Sequence, residues 1–163
     1  MAATKMEAQA GSSLSREIVV EAPQERAFRV FTESFDSWWP REHHIGQSAM
    51  KQAVLEGRQG GGWYELGEDG SRCQWGTVLV WDPPRKLVLT WQITSQWQYD
   101  AAFVTEVEVR FSPEGPRRTR VVLEHRHLDR FGAAADQMRQ TFSSEGGWNG
   151  LLQRFARAAE QPA

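Results

Sequence analysis

From Ala53 to His127 the sequence takes up the hydrophobic period of extended chain and holds it through six consecutive runs. They are Val54-Leu55-Glu56-Gly57 and residues 63–66, 73–81, 86–93, 104–111 and 118–127. The breaks carry turn chemistry: Gly60-Gly61-Gly62, Glu68-Asp69-Gly70, Asp82-Pro83-Pro84 and Pro113-Glu114-Gly115-Pro116. Strands joined by such short connections pair antiparallel. Their alternation makes one face apolar: Leu87, Leu89, Trp91 and Ile93 share a side, as do Val107, Val109 and Phe111, with Glu106, Glu108 and Arg110 opposite. Such a sheet needs a cover. After Gly146-Gly147, the residues Trp148, Leu151, Leu152, Phe155, Ala156 and Ala159 recur at helical spacing, while Asn149, Gln153, Arg154 and Arg157 fall elsewhere around the helix.

The remaining segments fit the same plan. Residues 16–21 read as a first strand, and Ala22-Pro23 opens a helix whose apolar stripe is Ala27, Phe28, Phe31 and Phe35, ending near Trp38-Trp39-Pro40. Ala134, Ala135, Met138 and Phe142 mark a short helix before the long one. The predicted class is therefore α+β, a helix-grip fold: a curved antiparallel sheet of six to seven strands wrapped on a long C-terminal helix, with short helices after the first strand. The predicted organisation is one domain over residues 16–160, preceded by a disordered tail over residues 1–15, since 163 residues leave no room for a second ordinary core.

Composition narrows the function classes. A formal net charge of −2 gives no whole-chain field for nucleic acid or anionic lipid. One cysteine, Cys73, excludes an intrachain disulfide framework and a multi-cysteine zinc site, and it suits a cytoplasmic setting. No stretch approaches the roughly 20 apolar residues of a membrane span. Eight tryptophans are many for a core of this size, so they build either an aromatic core or the walls of a cavity.

The order strand, helix, six-strand meander, long helix resembles the SRPBCC superfamily of START and birch-pollen-allergen-like proteins. Phe31-Thr32 through Trp38-Trp39-Pro40, Gly61-Gly62-Trp63-Tyr64-Glu65, Gly76-Thr77-Val78 with Asp82-Pro83-Pro84-Arg85, residues 87–91 and Gly147-Trp148 resemble its branch named for the activator of the Hsp ninety ATPase. The resemblance spans about residues 16–160 and implies the helix-grip fold. For function it implies a range: lipid carriers, polyketide cyclases and cochaperones.

The candidate ligand-binding residues are Trp38, Trp39, Trp75, Trp91, Trp97, Phe103, His125 and Trp148, with Trp97, Tyr99 and Phe103 on a long connection expected at the cavity rim. His125 and His127 sit two apart on a predicted strand, as a metal pair would, and His43-His44 could approach from the loop after the first helix, but nothing fixes that distance and no carboxylate sits at a ligand spacing, so no metal or other cofactor is implied. Two readings of His125 stay open: a pocket-facing imidazole that orients a ligand or carries a proton, or a satisfied core histidine. Alternation turns Glu124 outward and leaves the facing of Glu65 open, while Cys73 lacks an activating neighbour and reads as inert. Gly60-Gly61-Gly62 lies between strands and reads as a turn rather than a phosphate loop, and the basic run at residues 116–120 reads as a solvated hairpin end.

The expectation is thus a protein, not evidently an enzyme, that binds a small hydrophobic or aromatic molecule between sheet and helix as a monomer or homodimer. One alternative is a cyclase- or hydrolase-type enzyme using the same cavity with His125 as proton carrier. Another is a cochaperone-like module meeting a chaperone partner through Trp97 and Tyr99.

Overall fold

The computed structural model describes residues 12–162. Seven strands, β1 (Ser13–Val20), β2 (Met50–Leu55), β3 (Gly62–Gly67), β4 (Arg72–Asp82), β5 (Lys86–Trp91), β6 (Thr105–Gly115) and β7 (Arg118–Arg126), form a curled antiparallel sheet in the order β1-β7-β6-β5-β4-β3-β2. Register shifts in β2, β3, β4 and β6 mark bulges, which bend a sheet and increase its twist. Helices α1 (Gln24–Thr32) and α2 (Phe35–Trp38) follow β1, and a 3₁₀ segment with α3 (Ala135–Ser143) precedes α4 (Trp148–Glu160). This is the helix-grip fold that the period pattern predicts.

The apolar stripe of α4 is buried along its whole length, from Trp148 to Ala159. It lies over the faces that alternation assigned to the core, and Leu87, Leu89, Val107, Val109, Phe111, Val121 and Leu123 are all buried. Each large side chain so buried contributes roughly 1.5–3 kcal/mol. α1 and α2 close one end with Phe28, Phe31, Phe35 and Trp38.

Tertiary pairing moves several boundaries. β1 starts at Ser13, not Arg16, because the backbone of Ser13, Leu14 and Ser15 completes the ladder with Arg126, His125 and Glu124, with Leu14 buried in the core. The rest of the tail expected over residues 1–15, up to residue 11, lies outside the described residues. β5 stops at Trp91, since the Gln92 amide turns away to the Trp75 carbonyl at 2.8 Å and Ile93 keeps only an isolated bridge to Tyr99. β7 stops at Arg126, because His127 takes a left-handed backbone with φ 68. That break removes the two-residue alternation on which the His125 and His127 pair depended. His125 is fully buried, while His127 is half-buried beside Glu106 at 3.8 Å.

Candidate functional site

A cavity of about 280 Å³ lies where the start of α4 and the end of α3 face the chain after α2 and the ends of β4 and β5. Four tryptophans from separate elements form its walls: Trp39 just after α2, Trp75 on β4, Trp91 closing β5 and Trp148 opening α4. Their rings meet in sequence, Trp39 with Trp75 at 5.3 Å between centroids, Trp39 with Trp148 at 6.3 Å and Trp148 with Trp91 at 5.8 Å. Ile45, Ile93, Phe142 and Leu151 complete the apolar lining, and Trp97, 42% exposed, stands at the mouth 6.3 Å from the Phe142 ring. Trp97 also has φ 60, a left-handed conformation that is uncommon for a bulky residue and concentrates at functional sites.

Polar side chains behind the walls fix the indole edges. Trp148 Nε1 donates to His125 Nδ1 at 3.2 Å, His125 Nε2 lies 2.9 Å from Thr105 Oγ1, and Thr105 Oγ1 donates to the Trp91 carbonyl at 2.9 Å. The indole can only donate and the carbonyl can only accept, so every direction in this chain is set. Nδ1 of His125 is an acceptor and Nε2 carries the hydrogen. The chain ties two adjacent walls, Trp148 and Trp91, through one neutral imidazole. Burial, reinforced by the nearby His127, lowers the His125 pKa from its ordinary value to about 3. Both nitrogens are thus engaged within the protein and protonation is disfavoured, the arrangement of a satisfied core histidine.

Glu65 does the same work on the other side. Buried on β3, its carboxylate accepts from the Ile45 amide at 2.7 Å, the Gly46 amide at 3.1 Å and Trp75 Nε1 at 2.9 Å. One side chain thereby joins a wall tryptophan to the loop that forms the mouth. The same loop is tied by Trp39 Nε1, which donates to the His43 carbonyl at 3.0 Å, and by His43 Nε2, which donates to the Gly146 carbonyl at 2.9 Å. The turn into α4 is close-packed: a Cβ on Gly147 would lie 2.4 Å from the Phe142 and Thr141 carbonyl oxygens, and one on Gly150 would lie 1.8 Å from the Glu145 carbonyl oxygen. Only glycine lets the two helices approach closely enough to set Trp148 into the wall.

After these bonds are counted, two cavity-lining residues keep a buried polar atom with no partner in the protein: Trp91 at Nε1, a donor, and His43 at Nδ1. Since His43 Nε2 carries the hydrogen donated to Gly146, Nδ1 of the neutral ring is an acceptor. The indole nitrogen of Trp63 is likewise unpaired, but that residue does not line the cavity.

Of the eight candidate residues, the structure brings Trp39, Trp75, Trp91, Trp97 and Trp148 to the cavity and places His125 directly behind it. Trp38 points into the phenylalanine core, 5.0 Å from Phe31 and Phe35, with its indole donating to the Val30 carbonyl. Phe103 packs on Phe131 at 4.8 Å, away from the lining. Glu124 faces outward and pairs with Arg126. Burial, with the Glu65 carboxylate adding to it, pushes the Cys73 thiol up and away from thiolate reactivity. His43 was legible only as a histidine of unfixed position, and Phe142 only as part of a helical stripe. Among the described residues no cluster of three or more metal-ligating side chains occurs, and no helix is long and apolar enough to cross a membrane.

Comparison with known proteins gives this geometry a family. The solved structure of the anthrahydroquino-γ-pyrone synthase Txn09 is 35% identical to this chain, covering 90% of this chain and 96% of that one with a TM-score of 0.64. CalC, a self-sacrificing resistance protein from Micromonospora echinospora, is 30% identical over 91% of this chain and 94% of its own, with a TM-score of 0.69. Protein NE0264 from Nitrosomonas europaea, 16% identical over 93% and 96% of the two chains with a TM-score of 0.65, shares the fold. None of the curated proteins matches the chain. The family described as activator of Hsp90 ATPase homolog 1-like protein matches residues 21–160, and the chain belongs to that family within the SRPBCC superfamily.

Proposed function

We propose that the protein binds a planar, hydrophobic aromatic molecule in the tryptophan-walled cavity. The observation that carries this reading is the way the walls are held: Trp148 by His125, Trp75 by Glu65 and Trp39 by the His43 carbonyl. Rings fixed at their polar edges keep their faces toward the cavity and resist collapsing into it, which is how a largely pre-formed apolar site is built. At about 280 Å³ the space is roughly twice the ~150 Å³ that accommodates benzene, a size suited to two or three fused rings. The relatives support the same class, since one of them is an anthrahydroquino-γ-pyrone synthase and is 35% identical over 90% of this chain.

That relative also favours a second reading, ring-closing catalysis on such a molecule. In it His125 has no part, and the chemistry falls to the shape of the cavity and the groups at its mouth. The cochaperone-like reading would use Trp97 and Tyr99, which are exposed; Trp97, however, leans on Phe142 and lines the cavity, which ties it to the small-molecule reading.

The test is calorimetric titration of the folded protein with 2-acetylnaphthalene, an uncharged fused-ring ketone. Saturable binding of one molecule per chain, with quenched tryptophan emission, is expected. A folded sample that shows no saturable heat with this probe or with naphthalene would overturn the reading.

A further inference from the structure

The polar inventory of the cavity narrows the ligand further, and this step rests on the binding reading above. Of the indoles in the walls, Trp39, Trp75 and Trp148 have spent their N–H groups on the His43 carbonyl, Glu65 and His125. The carboxylate of Glu65 and both nitrogens of His125 are likewise engaged within the protein. Among the buried polar atoms of the lining, one donor and one acceptor remain without a partner, Trp91 Nε1 at the sheet end and His43 Nδ1 on the mouth loop; Glu42 and Thr141, which are exposed, and the half-buried His44 also line the cavity. Trp91 is 6% exposed, so its N–H has left water without gaining a protein acceptor. A buried polar atom in that condition is costly, and a ligand that pairs with it recovers the cost.

We infer that the cavity selects hydroxylated aromatic ketones: a ring hydroxyl donates to His43 Nδ1 while a carbonyl oxygen on the same fused-ring system accepts from Trp91 Nε1. An aromatic with neither group fills the space but leaves both atoms unpaired. One with only a carbonyl satisfies Trp91 alone. His43 is then the specificity-determining residue. Its position suits the role, because its backbone carbonyl is held by Trp39 and its Nε2 by the Gly146 carbonyl, so the ring is fixed before any ligand arrives.

The experiment is a matched pair of ligands on matched proteins, read by calorimetry. 2-Acetyl-6-hydroxynaphthalene is compared with its methyl ether, which keeps the rings and the carbonyl and lacks only the donor. The unmodified protein is expected to prefer the hydroxyl compound by about five- to ten-fold, the effect of one hydrogen bond to an otherwise unpaired buried atom. His43→Phe keeps an aromatic ring beside Trp39 and removes the acceptor, and the preference is expected to fall to about one. Trp91→Phe is expected to weaken both ligands while leaving the preference in place. Equal affinity of the two ligands for the unmodified protein overturns the inference even if a variant fails to fold, as does a preference that survives His43→Phe. In either case the cavity still binds and the reading above stands. Absence of binding by both ligands to a folded sample removes the cavity reading, and the inference with it.

Discussion

The two ends of the interior under α4 are both aromatic and behave differently. At one end Phe28, Phe31, Phe111 and Phe155 pack edge to face at 5.1–6.5 Å, joined by Trp38. At the other, Trp39, Trp75, Trp91 and Trp148 ring a cavity of about 280 Å³. Phenylalanine has no polar edge, so its rings are free to slide until space is filled at the density of a protein interior. Each tethered indole instead has a direction fixed by its hydrogen bond, and the tethers lead outward to His125, Glu65 and the mouth loop. Three of the four indoles around the hollow are pinned at their edges, whereas the packed end has one pinned ring, Trp38, among phenylalanines free to fill space.

This contrast can be broken at either end. The largest effect is expected at the packed end. Phe155→Ala, at a fully buried residue touching Phe31, Trp38 and Phe111, should cost about 3–5 kcal/mol in urea unfolding. At the hollow end Glu65→Leu removes the acceptor of three donors, one buried and two partly buried, and should cost on the order of 3 kcal/mol. Its diagnostic is that probe affinity falls as well, since the mouth loop and Trp75 lose their common anchor. A Glu65→Leu protein that unfolds at the same urea concentration as the parent would show that the tether carries no weight.

Much of this architecture was legible in the sequence, but unevenly. The face of α4 and the core faces of β5 and β6 followed from periodicity because a buried face imposes its repeat on the residues themselves. The cavity was legible only as an excess of tryptophan. Trp38 and Trp39 are neighbours in sequence, yet the chain leaves helical conformation at Trp39, with ψ 126, so one ring enters the phenylalanine core and the other the cavity wall. The bond between His125 and Trp148 joins residues 23 apart on a strand and a helix, and no local pattern carries that information. The same holds for His127, whose left-handed backbone ends β7 and dissolves the apparent histidine pair.

A third, smaller effect concerns pH. His125 has a folded pKa of about 3 against an ordinary value of 6.5, so between these values the unfolded chain binds a proton that the native protein does not. Stability therefore rises with pH through this window and is lost as pH falls below 6.5. At pH 5 the loss is one and a half pH units at about 1.36 kcal/mol each, or about 2 kcal/mol relative to neutral pH. Asp36 and Glu108 are also depressed: burial opposes the shift, but hydrogen bonds from Arg41 and the Ala53 amide at Asp36, and from Arg110 and Arg126 at Glu108, outweigh it. Their contributions are present above the ordinary carboxylate range and are lost only below it, which leaves the interval from pH 6.5 to 5 to histidine. Urea unfolding at pH 7.5 and 5 should show the loss, and His125→Gln should remove most of it. An identical pH slope in that variant would contradict the assignment.

The smallest effect on stability is expected at the mouth. Trp97→Gly relieves a left-handed backbone but frees the unfolded chain, and the two should offset to within about 1 kcal/mol. Probe affinity should nonetheless fall by several-fold, because the exposed indole that closes the cavity is gone. An unchanged affinity would place Trp97 outside the site.

The most direct test of the pinned hollow is a proton–nitrogen correlation spectrum of the eight indole N–H groups during titration with 2-acetylnaphthalene. Saturable shifts are expected for Trp39, Trp75, Trp91, Trp97 and Trp148, with Trp91 the largest, while Trp38 in the packed end stays in place. A shift of Trp38 equal to theirs, or no saturable shift in any indole of a folded sample, would contradict it.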